Sequence, residues 1–223
     1  MKSKTEPRDA LVSALLQCLR QAEPESSAVL RGSLGEGRGD LYRDIDLRWE
    51  VSNAYFGSIG QTVPRVLGTI RSIESVRSDP DFQRSSVRRL FFVPFAAVPL
   101  FWRVDLEVSA SSTQRVSDYA VHNPAARGTD WSWPHSALMN VVGAIKACLR
   151  GEEEKAIQVL DHGFHRVGVS VPQVPLPDQM ICLVNAVREV DSTLGALADS
   201  VEQLHRQYER LPKSSTSKVG GQQ

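Results

Sequence analysis

The sequence predicts an α+β fold, with a small sheet and flanking helices in the first half and a C-terminal helical bundle in the second. Three observations lead there. Four apolar or alternating runs of strand length, 28–31, 44–51, 87–95 and 100–108, all fall within the first half of the chain. From residue 132 onward the apolar residues recur at intervals of three and four, the helical period. Between the two regimes, 109–131 is polar, with turn signals at His122-Asn123-Pro124 and Gly128-Thr129-Asp130. This divides the chain into a first domain over 1–125, a helical domain over 126–211 and a flexible polar tail over 212–223.

Taken in order, Leu11, Leu15, Leu16, Cys18 and Leu19 mark a first helix over 9–22, with Asp9 as its N-cap. Glu23-Pro24 breaks it, and Ala28 to Arg31 reads as the first strand. Gly32, Gly35, Gly37 and Gly39 limit the next segment to a short helix or loop before the strand at Asp44. Ile59, Val63, Val66, Leu67, Ile70, Ile73 and Val76 predict one amphipathic helix over about 58–77 with Pro64 near its start. Asp79-Pro80-Asp81 is a turn, and 87–95 and 100–108 form neighbouring strands joined through Pro94 and Pro99. Ser132 caps a helix with Pro134 in its first turn and Gly151 at its stop. Glu152 to Glu154 open the next, striped by Ile157, Leu160, Phe164 and Val167. Met180 to Leu211 keeps steps of three and four throughout, which predicts one long helix, set in a bundle or paired with a second copy of itself as a homodimer.

Two strands carry the chemistry. A period of two puts Asp44, Asp46, Arg48 and Glu50 on one face of the 44–51 strand and Ile45, Leu47, Trp49 and Val51 on the other. Like-charged carboxylates about 7 Å apart along a strand call for a cation, and a hard divalent ion such as Mg²⁺ suits oxygen ligands. Just upstream, Gly32 lets backbone approach a ligand, while the Ser33 hydroxyl and nearby N–H groups can hold phosphate oxygens. No Gly-Lys-Ser/Thr closes a P-loop, and the four glycines lack the Gly-x-Gly-x-x-Gly spacing of a dinucleotide fold. On the later strand, Arg103, Asp105 and Glu107 share one face and Trp102, Val104, Leu106 and Val108 the other.

Gly32-Ser33, ten intervening residues and then Asp44-x-Asp46 on a strand resemble the signature of the polymerase-β-like nucleotidyltransferases. The resemblance implies a small mixed nucleotidyltransferase sheet and a catalytic first domain. It implies that Asp44 and Asp46 bind Mg²⁺, that Gly32 and Ser33, with Arg31, cradle phosphates, and that a third carboxylate on a later strand completes a site for one or two ions. Asp105 is the choice for that third position and Glu107 the additional acid. A catalytic half followed by a helical half is similar to the antibiotic nucleotidyltransferases, which implies transfer of AMP from ATP, or of another nucleoside monophosphate, to a hydroxyl of a small aminoglycoside-like acceptor. The alternatives are a protein adenylyltransferase of antitoxin type and an inactive fold retained for interaction.

Composition narrows the partners. Lys and Arg together equal Asp and Glu at 26 each, so no net field draws the chain to nucleic acid, and none is expected as a partner. No apolar run approaches the length of a membrane span, and Met1 to Arg8 has no apolar segment behind it. Cys18, Cys148 and Cys182 are scattered, without Cys-x-x-Cys. A cytoplasmic enzyme with no membrane partner is the expectation.

Overall fold

The computed structural model describes residues 6–112 and 124–211. The expected tail and the His122-Asn123 turn lie outside them. The chain divides into two compact units, Met1–Trp131 and Ser132–Gln223.

The first unit is built on a five-stranded mixed sheet. Its strands are β1 (Ser27–Leu30), β2 (Ile45–Val51), β3 (Arg77–Ser78), β4 (Arg88–Val93) and β5 (Val104–Ala110), in the spatial order β1-β2-β5-β4-β3. All neighbours are antiparallel except β2 and β5, which run parallel. Alternation decides which face is covered. Ile45, Leu47, Trp49 and Val51 are buried, as are Val104, Leu106 and Val108, together with Phe91 and Val93 from β4. Against this face lie α1 (Glu6–Ala22), through Leu11, Leu15 and Leu19, and α4 (Ile59–Leu67), through Val63 and Leu67. Each large side chain in such a core contributes about 1.5–3 kcal/mol. The alternate positions Asp46, Arg48, Asp105, Glu107, Leu90 and Phe92 stay half-exposed on the other face.

Several expectations are corrected here. The first helix begins at Glu6, so Asp9 lies inside it and caps nothing. Of the predicted helix over 58–77 only α4 forms, preceded by the separate short α3 (Asn53–Phe56), and it stops at Gly68. There the Thr69 hydroxyl donates to the Val66 carbonyl at 2.7 Å. Ile73 and Val76 still pack against the same core, from outside any helix: Ile73 bridges Phe95, and β3 begins at Arg77. Helical spacing was mimicked because a helix and the segment after it serve one core. Leu100–Trp102 is a 3₁₀ turn, with β5 starting at Val104. The Trp102 indole N–H donates to the Leu41 carbonyl at 3.0 Å, an anchor that alternation along a strand would not provide.

Residues 124–131 belong to the first unit. The Arg84 N–H donates to Ala126 and the Gly128 N–H to Pro80, at 2.8 and 2.7 Å.

The second unit is a bundle of α5 (Trp133–Leu149), α6 (Glu153–Val167), α7 (Leu176–Val190) and α8 (Gly195–Glu209). Ser132 caps α5 by accepting from the His135 N–H, and Gly151 follows in the left-handed region at φ 74°. The predicted long helix is broken: Asp191 is extended, and its carboxylate accepts from the Thr193 N–H at 3.1 Å, opening a 3₁₀ turn between α7 and α8. Arg188 then ties α7 to Asp199 and Glu202 of α8, at 2.7 Å each. Met180, Leu183, Val187, Ala198 and Val201 are buried in the bundle, while Val190 stays exposed and Leu197, Leu204 and Tyr208 are half-buried. The α6 stripe is also rotated: Ile157 is 49% exposed, and Ala156 and Gly163 are buried in its place. A Cβ on Gly163 would press into the end of the Leu183 side chain, so α6 and α7 approach closely here. No helix among the described residues is long and apolar enough to cross a membrane.

Candidate active site

The polar face of the sheet gathers the predicted residues through the single parallel pair. A parallel β2–β5 ladder places Asp46 opposite Asp105 and Arg48 opposite Glu107. Because side chains alternate, registered residues on adjacent strands share a face, with Cβ atoms roughly 5 Å apart. Asp44 sits just before β2. Arg31 follows β1, and its N–H donates to the Asp46 carbonyl at 2.8 Å, which fixes the approach of the next turn to the strand.

That turn is α2 (Gly32–Gly35). Gly32 has φ +61°, and a Cβ there would overlap the Asp46 carboxylate, so glycine is required both by conformation and by space. By helix geometry the first N–H groups of this turn have no partner within it. Ser33 is half-buried, and its carbonyl accepts from the Arg38 N–H at 2.8 Å. The next loop is held in place. Tyr42 meets Phe101 edge-on at 5.3 Å, Trp102 bonds Leu41, and Arg8, itself 3% exposed, donates to the Asp40 carbonyl.

A cavity of about 190 Å³ opens on this face, lined by Arg31, Asp46, Arg48, Leu90, Asp105 and Glu107. Its charges are organised in pairs. Glu107 accepts from Arg88 at 2.7 Å and lies 3.8 Å from Arg48. Asp105 accepts a two-pronged bond from Arg103, at 2.6 and 2.7 Å. Burial by itself works against the Arg103 charge, but the bond and charge of Asp105, with the charges of Asp44 and Asp46, more than offset it and raise its pKa.

Asp46, Asp105, Glu107 and Arg31 therefore share one cavity, with Gly32 against Asp46. Among the described residues no group of three or more carboxylate, histidine or thiol ligands is drawn together as a ready-made metal cage. Arg103 sits among the acids instead. The donor set still suits an oxygen-ligated divalent ion: the hard carboxylates Asp46, Asp105 and Glu107 face one cavity, with the Gly32 backbone against Asp46. Arg88, which holds Glu107, carried no sequence signal, since it lies on a third strand far along the chain. Trp131 rests beside Phe92 at 5.8 Å with the Arg77 guanidinium 4.7 Å from its ring, while Trp133 is 52% exposed.

No protein-family model matches the sequence, and no curated protein matches it. Among solved structures the chain is similar to Cid1, in a structure concerning its RNA terminal uridylyl transferase activity, at 14% identity over 67% of this chain and 41% of that one, with a TM-score of 0.40. A cytoplasmic RNA terminal U-transferase matches at 14% identity over 66% and 40%, TM-score 0.37. The GLD-2/RNP-8 complex matches at 11% identity over 92% and 94%, TM-score 0.39. The chain thus spans about 40% of the length of the first two.

Proposed function

We propose that the chain is a nucleotidyltransferase that moves a nucleoside monophosphate, from ATP or another nucleoside triphosphate, onto a hydroxyl of a small acceptor. The observation that carries this reading is the register of Asp46 with Asp105 across the parallel pair, with the Gly32 backbone closed on Asp46. In this reading Asp44 and Asp46 hold Mg²⁺, the Gly32–Ser33 turn and Arg31 receive the phosphates, and Asp105 orients the acceptor hydroxyl. When bound, the divalent ion neutralises charge on the phosphates and on the departing pyrophosphate. The acceptor oxygen bonds to the α-phosphorus as the bond to pyrophosphate breaks, and its proton passes to Asp105 or to solvent. Positioning and charge supply most of the acceleration.

The site bears on the acceptor. An aminoglycoside-like polycation would need a free acidic wall, and Glu107 is already engaged by Arg88 and Arg48. Two arginines against one glutamate favour a second reading in which the acceptor is anionic, such as the 3′-hydroxyl end of an RNA. Incubation of the protein with Mg²⁺, each labelled nucleoside triphosphate and a panel of aminoglycosides, neutral polyols and short RNAs tests both. Pyrophosphate released with one acceptor class supports transfer and identifies that class. Absence of pyrophosphate with every pair refutes the proposal.

A further inference from the structure

A second cavity, of about 420 Å³, shares no lining residue with the first and opens between α1 and the loop after α2. Its size falls within the range of about 300–1,000 Å³ that small-molecule sites occupy. One wall is a face of α1, where Arg8 stands over Val12 and Asp9 over Ser13. Leu30 of β1 and Leu34 of α2 line it as well. The loop passes so close to Leu34 that a Cβ on Gly39 would overlap its side chain. Arg8 is the feature that needs an account. It is 3% exposed, yet it donates to an uncharged acceptor, the Asp40 carbonyl, and its Nε has no hydrogen-bond partner among the described residues. The carboxylate paired with it, Asp9, stands 4.0 Å from Nε with its side chain 67% exposed, so water weakens the attraction. The Asp40 carboxylate accepts from the Tyr42 N–H at 2.8 Å and lies 3.6 Å from Arg43, while Glu36 is paired with Arg38. A buried guanidinium with its charge incompletely balanced therefore forms part of a cavity wall.

We infer that this cavity is a binding site for a small organic anion, a carboxylate carried on a compact apolar body. Arg8 supplies the charge, and a guanidinium matches the two oxygens of a carboxylate. Val12, with Leu30 and Leu34, supplies apolar surface that an inorganic ion would leave unmatched. Asp9, beside Arg8, repels a second negative charge, which disfavours a phosphate dianion relative to a carboxylate. The Ser13 hydroxyl stands exposed in the same wall, where it can donate to or accept from a further polar group of the ligand. Nothing in this assignment uses Asp44, Asp46 or Asp105, so it goes beyond the nucleotidyltransferase reading and is independent of it.

Isothermal titration calorimetry of the full chain with 2-naphthoate, 2-naphthamide and inorganic phosphate tests this. The naphthoate should bind at sub-millimolar concentration. The amide, of the same shape without the charge, should bind at least about tenfold more weakly, and phosphate more weakly still. Ser13→Trp places an indole in the cavity from an exposed position on α1 and should weaken naphthoate at least about tenfold with little change in the thermal melt. Arg8→Met should bring naphthoate down to the level of the amide and leave the amide unchanged. Far-UV circular dichroism monitors folding. Should R8M unfold with the loss of its tie to Asp40, S13W and the amide comparison decide. Naphthoate and amide bound alike, a folded S13W that binds naphthoate as the wild type does, or no naphthoate heat even at millimolar concentration each overturns the inference and leaves Arg8 as a tie between α1 and the loop. Phosphate bound more tightly than naphthoate overturns the class of ligand. The transferase reading is untouched by any of these results, because the pyrophosphate assay tests it separately.

Discussion

At the scale of single residues, the site depends on a glycine that touches a carboxylate. Gly32 is held at φ +61° with no room for a Cβ beside Asp46. Gly32→Ala should cost roughly 1–2 kcal/mol from conformation alone, with further loss from displacing Asp46. Urea denaturation will show the first effect and Mn²⁺ affinity the second. An unchanged affinity would separate Gly32 from the metal side of the site. Asp44→Asn and Asp46→Asn should each lower metal-dependent turnover at least about 100-fold while leaving the melting profile close to the wild type, because both side chains lie off the core face. Undiminished turnover in both variants would refute the assignment. These residues are legible in the sequence because the signal is local. Glycine next to serine, a fixed spacing and alternating acids are properties of a short stretch. The bond from Arg103 to Asp105 is open to the same reading, since residues two apart on a strand share a face, but an arginine there reads equally well as a phosphate partner.

At the scale of elements, alternation foretold the strands well, because covering one side of a sheet imposes a period of two on any sequence that folds into it. Helix length was less legible. Gly68 and Asp191 each end a helix whose apolar spacing runs on beyond it, because the next segment returns to the same core. The buried line of α8 is Ala198, Val201 and His205, so Leu204 and Tyr208 stand to one side. Tyr208 nevertheless titrates with the fold. Burial, then its hydrogen bond with Cys148, pushes its pKa up from the ordinary 10 to about 12. The folded protein thus holds this proton more tightly than the unfolded chain does. The stabilisation is complete below pH 10 and is lost as pH rises from 10 to about 12. Thermal melts across that window should show α-helical signal lost at progressively lower temperature, and Tyr208→Phe should flatten the trend. An equal decline in the variant would assign it to other groups.

At the scale of the whole molecule, the two units carry separate cores. The first encloses Leu15, Leu47, Trp49, Val63 and Leu106, and the second Leu138, Val141, Leu160, Leu183 and Val201. The candidate carboxylates all belong to the first. A fragment of residues 1–131 should therefore fold cooperatively and bind Mn²⁺ with the affinity of the full chain, checked by denaturation and by Mn²⁺ titration that follows loss of the free-ion paramagnetic resonance signal. A fragment that aggregates would show that the helical unit is needed for the first to fold. The amino-acid sequence by itself determined the α+β class, the two regimes of periodicity, the strand faces and the Gly32-Ser33, Asp44-x-Asp46 motif, because each is written in neighbours a few residues apart. The tertiary structure alone decided where helices stop, that Asp105 lies across from Asp46, and that Glu107 is claimed by Arg88 and Arg48. Those facts depend on strand order and direction, and a parallel pair joining residues some sixty positions apart leaves no mark on the local spacing of either.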